Sequence, residues 1–305
     1  MNTLPGELKN ILLRAEVIGR KNWLHAVNIL EKAAEEYPGE SSVYLTLGDV
    51  YNRHRMFEQA IDAYQKSLIT NPKDEHLLFI IGNCYLSLSD YKMALYYYDQ
   101  VSGDGPELNY NKALAYAYSG DHEFSIHYLK ILIRQISDNA NLFYFLVEEL
   151  LRLHKYGEGL DYLQEMEKRF GIQRYQQILL GFIWSYKKIW LKSYFAFKKA
   201  DELGPITNPE HLHSFVQSAW QIGQLDKAIE LLLRGLEFNP RYGLFYEDLI
   251  RIYLQKRDYS NADRALSKAF RMLGNSDPLL LILKDKLHKL QADSEAPPQD
   301  DEPQT

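Results

Sequence analysis

Apolar positions along this chain recur at helical spacing, as in Leu77, Phe79, Ile80, Ile81 and Cys84, with polar residues between the runs. Breakers interrupt the pattern at regular intervals: Tyr37-Pro38-Gly39, Asn71-Pro72, Gly103-Asp104-Gly105-Pro106, Gly204-Pro205 and Asn239-Pro240. The pattern predicts an all-α chain of short helices joined by tight turns, with no strands. Helices of about 14 residues would be roughly 21 Å long.

The spacing is periodic as well as helical. Pro38, Pro72 and Pro106 stand 34 residues apart, and so do Ala26, Ala60 and Ala94. Gly48 and Gly82 keep the same interval, as do Tyr51 and Tyr85. In the segment from Ser41 to Asp74, the residues Tyr44, Leu47, Gly48, Tyr51, Ala60, Tyr64 and Pro72 fall in the large, Leu, Gly, Tyr, Ala, aromatic, Pro order of one known repeat. On these positions the sequence resembles the tetratricopeptide repeat (TPR) family.

The resemblance extends over nearly the whole chain. Eight repeats are expected at 7–40, 41–74, 75–105, 106–139, 140–173, 174–208, 209–242 and 243–276, after a lead-in of residues 1–6. The third is three residues short, and the shortening is expected in its closing loop. The small residue at the crossing of the two helices is Ala26, Ala60, Ala94, Ser125, Gly159, Ser193, Ala228 and Ala262 in turn. Three residues before each stands Trp23, Phe57, Tyr91, His122, Tyr156, Trp190, Leu225 and Tyr259, aromatic in six of eight repeats. Arg14 and Val147 replace the expected glycine in the first and fifth. The resemblance implies a TPR α-solenoid: a right-handed superhelix of eight helical hairpins plus a C-terminal capping helix. A hairpin cannot bury its apolar face alone, so each packs on its neighbours. Asp277-Pro278 reads as a helix start, and residues 277–291 as the cap, supplying Leu279, Leu280, Ile282, Leu283 and Leu287. Residues 292–305, polar, acidic and carrying three prolines, are expected to be disordered.

Charge and chemistry narrow the function. The net charge is −6, and five acids fall beyond Gln291, which leaves the rest at −1. A near-neutral body does not favour a general nucleic-acid binder. The single cysteine, Cys84, allows no internal disulfide and no Cys-based zinc site, and its place in an apolar stripe reads as a small buried filler. Charged residues break up the first twenty positions, so no signal peptide is expected. No run approaches the ~20 apolar residues of a membrane span, and a cytoplasmic location is expected. Phosphate-loop, HExxH, GxSxG and CxxC motifs are missing from the sequence. His211 and His213 lie two apart and do not share a helix face, so they do not read as a metal pair. A non-catalytic protein with no cofactor and no metal site is expected.

The resemblance also implies where partners bind. In TPR proteins the first helix of each hairpin lines a concave groove, through its fifth, ninth and twelfth residues. Carried over by position, the groove residues are Phe79, Asn83, Tyr110, Tyr144, Glu148, Phe182, His213, Gln217 and Trp220. Rings beside amides and a carboxylate suit an extended peptide or a helix of a partner protein. The same rings would equally serve to pack neighbouring helices. The carboxylate clamp for an EEVD-type chaperone tail is not present: no fifth position is Lys, and Asn83 is the one ninth-position Asn. A second surface is expected in the sixth repeat. Residues 168–200 hold eight Lys or Arg and no acid, and Lys192, Phe195 and Lys199 share a face. That face would meet an acidic protein, a nucleic acid or, peripherally, an anionic membrane; an ordinary solvated surface is the alternative. Self-association and a role as the regulatory subunit of a separate enzyme are left open.

Overall fold

A computed structural model describes residues 6–274 and 277–295, and contains 17 helices and no strand among them. Contacts divide the chain into two compact units, residues 1–155 and 156–305. In the first unit the helices are α1 (Gly6–Gly19), α2 (Trp23–Glu36), α3 (Ser41–Arg53), α4 (Phe57–Leu68), α5 (Glu75–Ser87), α6 (Tyr91–Tyr98), α7 (Pro106–Ser119), α8 (His122–Gln135) and α9 (Ala140–Arg152). In the second they are α10 (Tyr156–Phe170), α11 (Arg174–Tyr186), α12 (Trp190–Glu202), α13 (Pro209–Gln221), α14 (Leu225–Phe238), α15 (Gly243–Gln255), α16 (Tyr259–Leu273) and α17 (Pro278–Glu295). Within each unit consecutive helices pack in antiparallel pairs, and first helices also touch across repeats, as α5 touches α7 and α11 touches α13. This is the stacked-hairpin, all-α solenoid that the repeat pattern predicts.

The second, third and sixth hairpins close on a large–small pairing. The eighth residue of the repeat faces the twenty-fourth. Gly48 lies under Tyr64 and Gly82 under Tyr98, so close that an added Cβ would stand 2.4 Å from either ring. Both rings are fully buried. Where the eighth residue has a side chain, the twenty-fourth is Leu, as Ala113 with Leu129 and Val216 with Leu232, all fully buried.

The turn between paired helices also repeats. Arg55, Ser89, His154, Lys188 and Arg257 all have φ between 56° and 61°, at the fifteenth position of their repeats. Gly120 and Gly223 fill the same position in repeats four and seven. A left-handed residue ends the first helix and reverses the chain. The aromatic residue that begins the second helix then stacks on the end of the next first helix. Trp23 meets His54 at 5.3 Å, Tyr91 meets Tyr118 at 5.5 Å and Tyr156 meets Tyr186 at 5.7 Å.

Two expectations need correction. The missing residues of the third repeat come out of its second helix, since α6 ends at Tyr98 after 8 residues. The loop that follows is held by Asn109 and Gln135, whose amides donate to the Asp104 carbonyl at 2.8 and 2.7 Å. The capping helix α17 starts on Asp277, whose carboxylate accepts from the amides of Leu279 and Leu280, but it runs to Glu295 instead of stopping at 291. Ala292 to Glu295 contain no breaker, and the first prolines are Pro297 and Pro298. The tail beyond 295 lies outside the described residues. Of the cap's apolar residues, Leu280, Leu283 and Leu287 are buried, whereas Leu279 and Ile282 are exposed.

Candidate functional site

In the first unit the expected groove residues sit on α5, α7 and α9. Phe79 is half-buried, its ring 5.8 Å from that of Tyr98. It borders a cavity of about 290 Å³ with Glu75, His76, Glu107 and Leu108. The Asn83 side-chain oxygen accepts two hydrogen bonds of 2.7 Å, one from the Tyr98 hydroxyl and one from the Asn111 amide of the next repeat. Its carbonyl is thus committed to holding α5, α6 and α7 together. The preceding repeat uses the same device, with the Tyr64 hydroxyl donating to Asp49 at 2.8 Å. Burial pushes the Tyr64 and Tyr98 hydroxyls well up from their ordinary range. Burial also raises Asp49, against the opposing effect of the Tyr64 bond.

Tyr110 on α7 differs from its neighbours. The residue is 41% exposed, with no hydrogen bond or ring partner among the described residues. Tyr144 on α9 is half-buried, and burial raises its hydroxyl. Glu148, one turn further along α9, is half-buried. At the same fifth position of the second repeat, Leu45 is also exposed. Leu45, Phe79, Tyr110 and Tyr144 thus mark the fifth position of four consecutive first helices in this unit.

In the second unit the corresponding residues are more fully used by the fold. Phe182 packs edge-on against Phe197 at 5.5 Å and against His211 at 5.4 Å. Burial lowers the basicity of His211, and Arg174 adds to this against the opposing pull of Glu210. The Nε2–H of His213 donates to Asp248 Oδ2 at 2.8 Å, and the Gln217 amide donates to the same oxygen at 2.6 Å. The Trp220 indole donates to Gln255 Oε1 at 2.7 Å. All three residues reach from α13 to α15, so they link the seventh repeat to the eighth. The ninth residue of one repeat bonds the sixth of the next here, as Asn83 does to Asn111. Asp248 and Asn111 were not singled out in the sequence. The signal for both is the position: a polar sixth residue following a polar ninth.

On α12, Phe195 is 56% exposed, and Leu191, one turn before it, equally so. Lys192 lies over the Trp184 ring, Nζ 4.5 Å from its centre. Lys199 reaches Glu202 at 3.5 Å, both about half exposed, a pairing that water largely screens. Lys198 is exposed. Cys84 is 1% exposed, and burial pushes its thiol up to about 11. Among the described residues no cluster of three or more His, Cys, Asp or Glu could hold a metal ion, and no helix is long and apolar enough to cross a membrane.

Comparison with known proteins gives a consistent family. The family model described as tetratricopeptide repeat matches residues 45–107. Tetratricopeptide repeat protein 21B of Mus musculus is 33% identical over 88 residues, which is 29% of this chain and 7% of that protein. The chain therefore matches only a small part of that relative's length. Among solved structures, the APC/C hetero-tetramer Cut9-Hcn1 aligns with a TM-score of 0.51 at 17% identity, over 91% of this chain and 55% of that one. The MamA RS-1 ArsTM double mutant aligns with a TM-score of 0.50 at 15% identity, over 63% of this chain and 98% of that one. At these identities the likeness is one of fold.

Proposed function

We propose that this chain, a tetratricopeptide-repeat protein, is a non-catalytic adaptor or scaffold that holds a peptide or helix of a partner on the inner helices of its first unit. TPR proteins generally act as protein-interaction scaffolds. The observation that carries the finer reading is Tyr110. A large, 41% exposed side chain with no hydrogen-bond or ring partner among the described residues, at the position the family uses for ligands, suits a binding anchor. Phe79 and Tyr144 flank it on α5 and α9. The committed carbonyl of Asn83 then acts as a rigid support beside the anchor.

A second reading rests on a different observation. Leu191 and Phe195 form an exposed apolar pair on α12 with Lys192, Lys198 and Lys199 around it. That surface suits an acidic protein segment better than a nucleic acid, because the body is near neutral. A regulatory subunit of a separate enzyme would use the same surfaces. Affinity capture with the whole chain tests both readings. Tyr110→Ala should weaken capture by about 1–2 kcal/mol without changing the helical content or the unfolding midpoint. Phe195→Ala with Lys199→Glu should leave that capture intact. If Tyr110→Ala captures normally and the α12 variant does not, the outer face is the binding surface. Loss of capture that fades with added salt would point the same way.

A further inference from the structure

A ring is missing from one place in the repeat pattern. The eleventh residue of the second, third and fourth repeats is a tyrosine: Tyr51, Tyr85 and Tyr116. In the third and fourth, the twenty-third residue covers it with a second ring. Tyr97 stacks on Tyr85 at 5.4 Å and Tyr128 on Tyr116 at 5.7 Å, with interplanar angles of 17° and 10°. In the second repeat the twenty-third residue is Ala63, and Tyr51 has no stacked ring among the described residues. The space left is a cavity of about 590 Å³ between α2, α3 and α4, bounded by Leu47, Tyr51, Ala34 and Ala63. Two second helices frame it, so it is separate from the fifth and ninth positions of the inner helices.

The rim of this socket is acidic. Glu31 and Glu35 come from α2, Glu58 and Asp62 from α4. Lys66, the one cation among its lining residues, is given to Asp62 at 2.7 Å. Glu31 accepts from the Tyr51 hydroxyl at 3.4 Å. Glu35 and Glu58 are exposed, with no hydrogen bond or ion pair among the described residues. Burial pushes the Tyr51 hydroxyl up from its ordinary range, and the Glu31 and Asp62 carboxylates push it further, so both helices direct negative charge at this one ring. The occupant that fits is a ring accompanied by positive charge.

The chain carries such a group itself. Phe195 on α12 is exposed, its one ring contact among the described residues being edge-on to the adjacent Tyr194. Lys192, Lys198 and Lys199 stand around it, all exposed. The other exposed phenylalanines do not match: Phe124 follows Glu123 and stacks on Tyr116, and Phe238 follows Glu237. We propose that the chain assembles head to tail, Phe195 of one copy entering the α2–α4 socket of a second copy and stacking on its Tyr51. The lysines of α12 then meet the carboxylates of the rim. The inference rests on the reading of α12 as a docking face, and names its acidic partner as a second copy of this chain. Phe195 does between molecules what Tyr97 and Tyr128 do within one. Two different surfaces meet, so every contact leaves one socket and one ring unused. Such an assembly closes as a ring or runs on as a filament.

Sedimentation velocity on the whole chain tests it. The sedimentation coefficient should rise with concentration through the micromolar range, and added salt should shrink the rise. Phe195→Ala with Lys199→Glu removes the ring side, and Glu35→Lys with Glu58→Lys reverses the socket side. All four residues are exposed, so both variants should keep the helical content. Each variant alone should associate roughly tenfold or more weakly. Mixed in equal amounts they should form a dimer that grows no further, since one keeps an intact socket and the other an intact ring. Ala63→Tyr, which supplies the missing ring from within the repeat, should also abolish association. A wild-type chain that is monomeric at every concentration, undiminished association in either surface variant or in a folded Ala63→Tyr chain, or a mixture that stays monomeric would overturn the proposal. If the chain is monomeric but the α12 variant still loses an acidic partner segment, that face serves another protein and the self-assembly alone falls.

Discussion

Gly48→Ala is the sharpest test of how the hairpins close. The added methyl would stand 2.4 Å from Tyr64 Cδ1 and 2.5 Å from Cε1, whereas carbon atoms settle at roughly 3.5–4.0 Å. The ring must move by about 1 Å to restore that separation. It cannot do so freely, being fully buried and tied through its hydroxyl to Asp49 at 2.8 Å. Overpacking costs about 1–3 kcal/mol, and breaking the hydroxyl bond about 1 kcal/mol more. Ala is the better helix former by about 1 kcal/mol. The net expectation is a loss of ~1–3 kcal/mol, read as a lower urea midpoint for the first unit. The pairing Ala113 with Leu129 shows the remedy. Tyr64→Leu leaves a void when made alone, but in Gly48→Ala it makes room for the methyl. The double variant should lose less than the two single losses added, by ~1–2 kcal/mol. A neutral or stabilising Gly48→Ala, or strictly additive losses, would refute the large–small account.

Ser89→Gly should stabilise the chain by ~0.5–1 kcal/mol, because left-handed strain of about 1–2 kcal/mol is relieved against the greater entropy glycine loses on folding; thermal unfolding checks it. Asp201 is the pH-sensitive position. Burial raises its pKa, but the two Arg234 bonds of 2.8 and 2.9 Å and the Ile206 amide outweigh this and bring it below the ordinary value. Its stabilising contribution is therefore present above about pH 4 and lost as pH falls through the depressed value, so Asp201→Asn should flatten the acid limb of the stability profile. Cys84 should resist a disulfide thiol reagent in the folded chain and react at once in denaturant, since its thiol is buried and pushed up to about 11. Rapid labelling of the native chain would show the third repeat opening far more readily than its packing implies.

Helix boundaries were legible because breakers and the periodic pattern coincide. Pro106 and Pro209 start α7 and α13, and the second-helix aromatics Tyr91 and Trp190 start α6 and α12. The length of α6 was not legible, because Asp99 to Ser102 contains no breaker and the stop is set by tertiary contacts. Site residues were legible as positions and not as roles. His213 and Gln217 share their inner-face positions with Tyr110 and Asn83, yet both are spent on Asp248. Periodicity says which face a residue takes; it does not say whether the next repeat brings a partner to it.

The large–small pairing has a consequence for how the chain finds its fold. Near-identical hairpins invite a first helix to close on the wrong second helix. If α7 closed on α6, the Ala113 methyl would collide with the Tyr98 ring. If α5 closed on α8, Leu129 would leave a hole over Gly82. Either slip between the third and fourth repeats is therefore penalised by volume alone. Between the second and third repeats there is no such safeguard, because Gly48 and Gly82 accept the same tyrosine. Refolding traps should concentrate there, in exchange of α4 with α6, and a Gly48→Ala, Tyr64→Leu chain should refold with fewer of them.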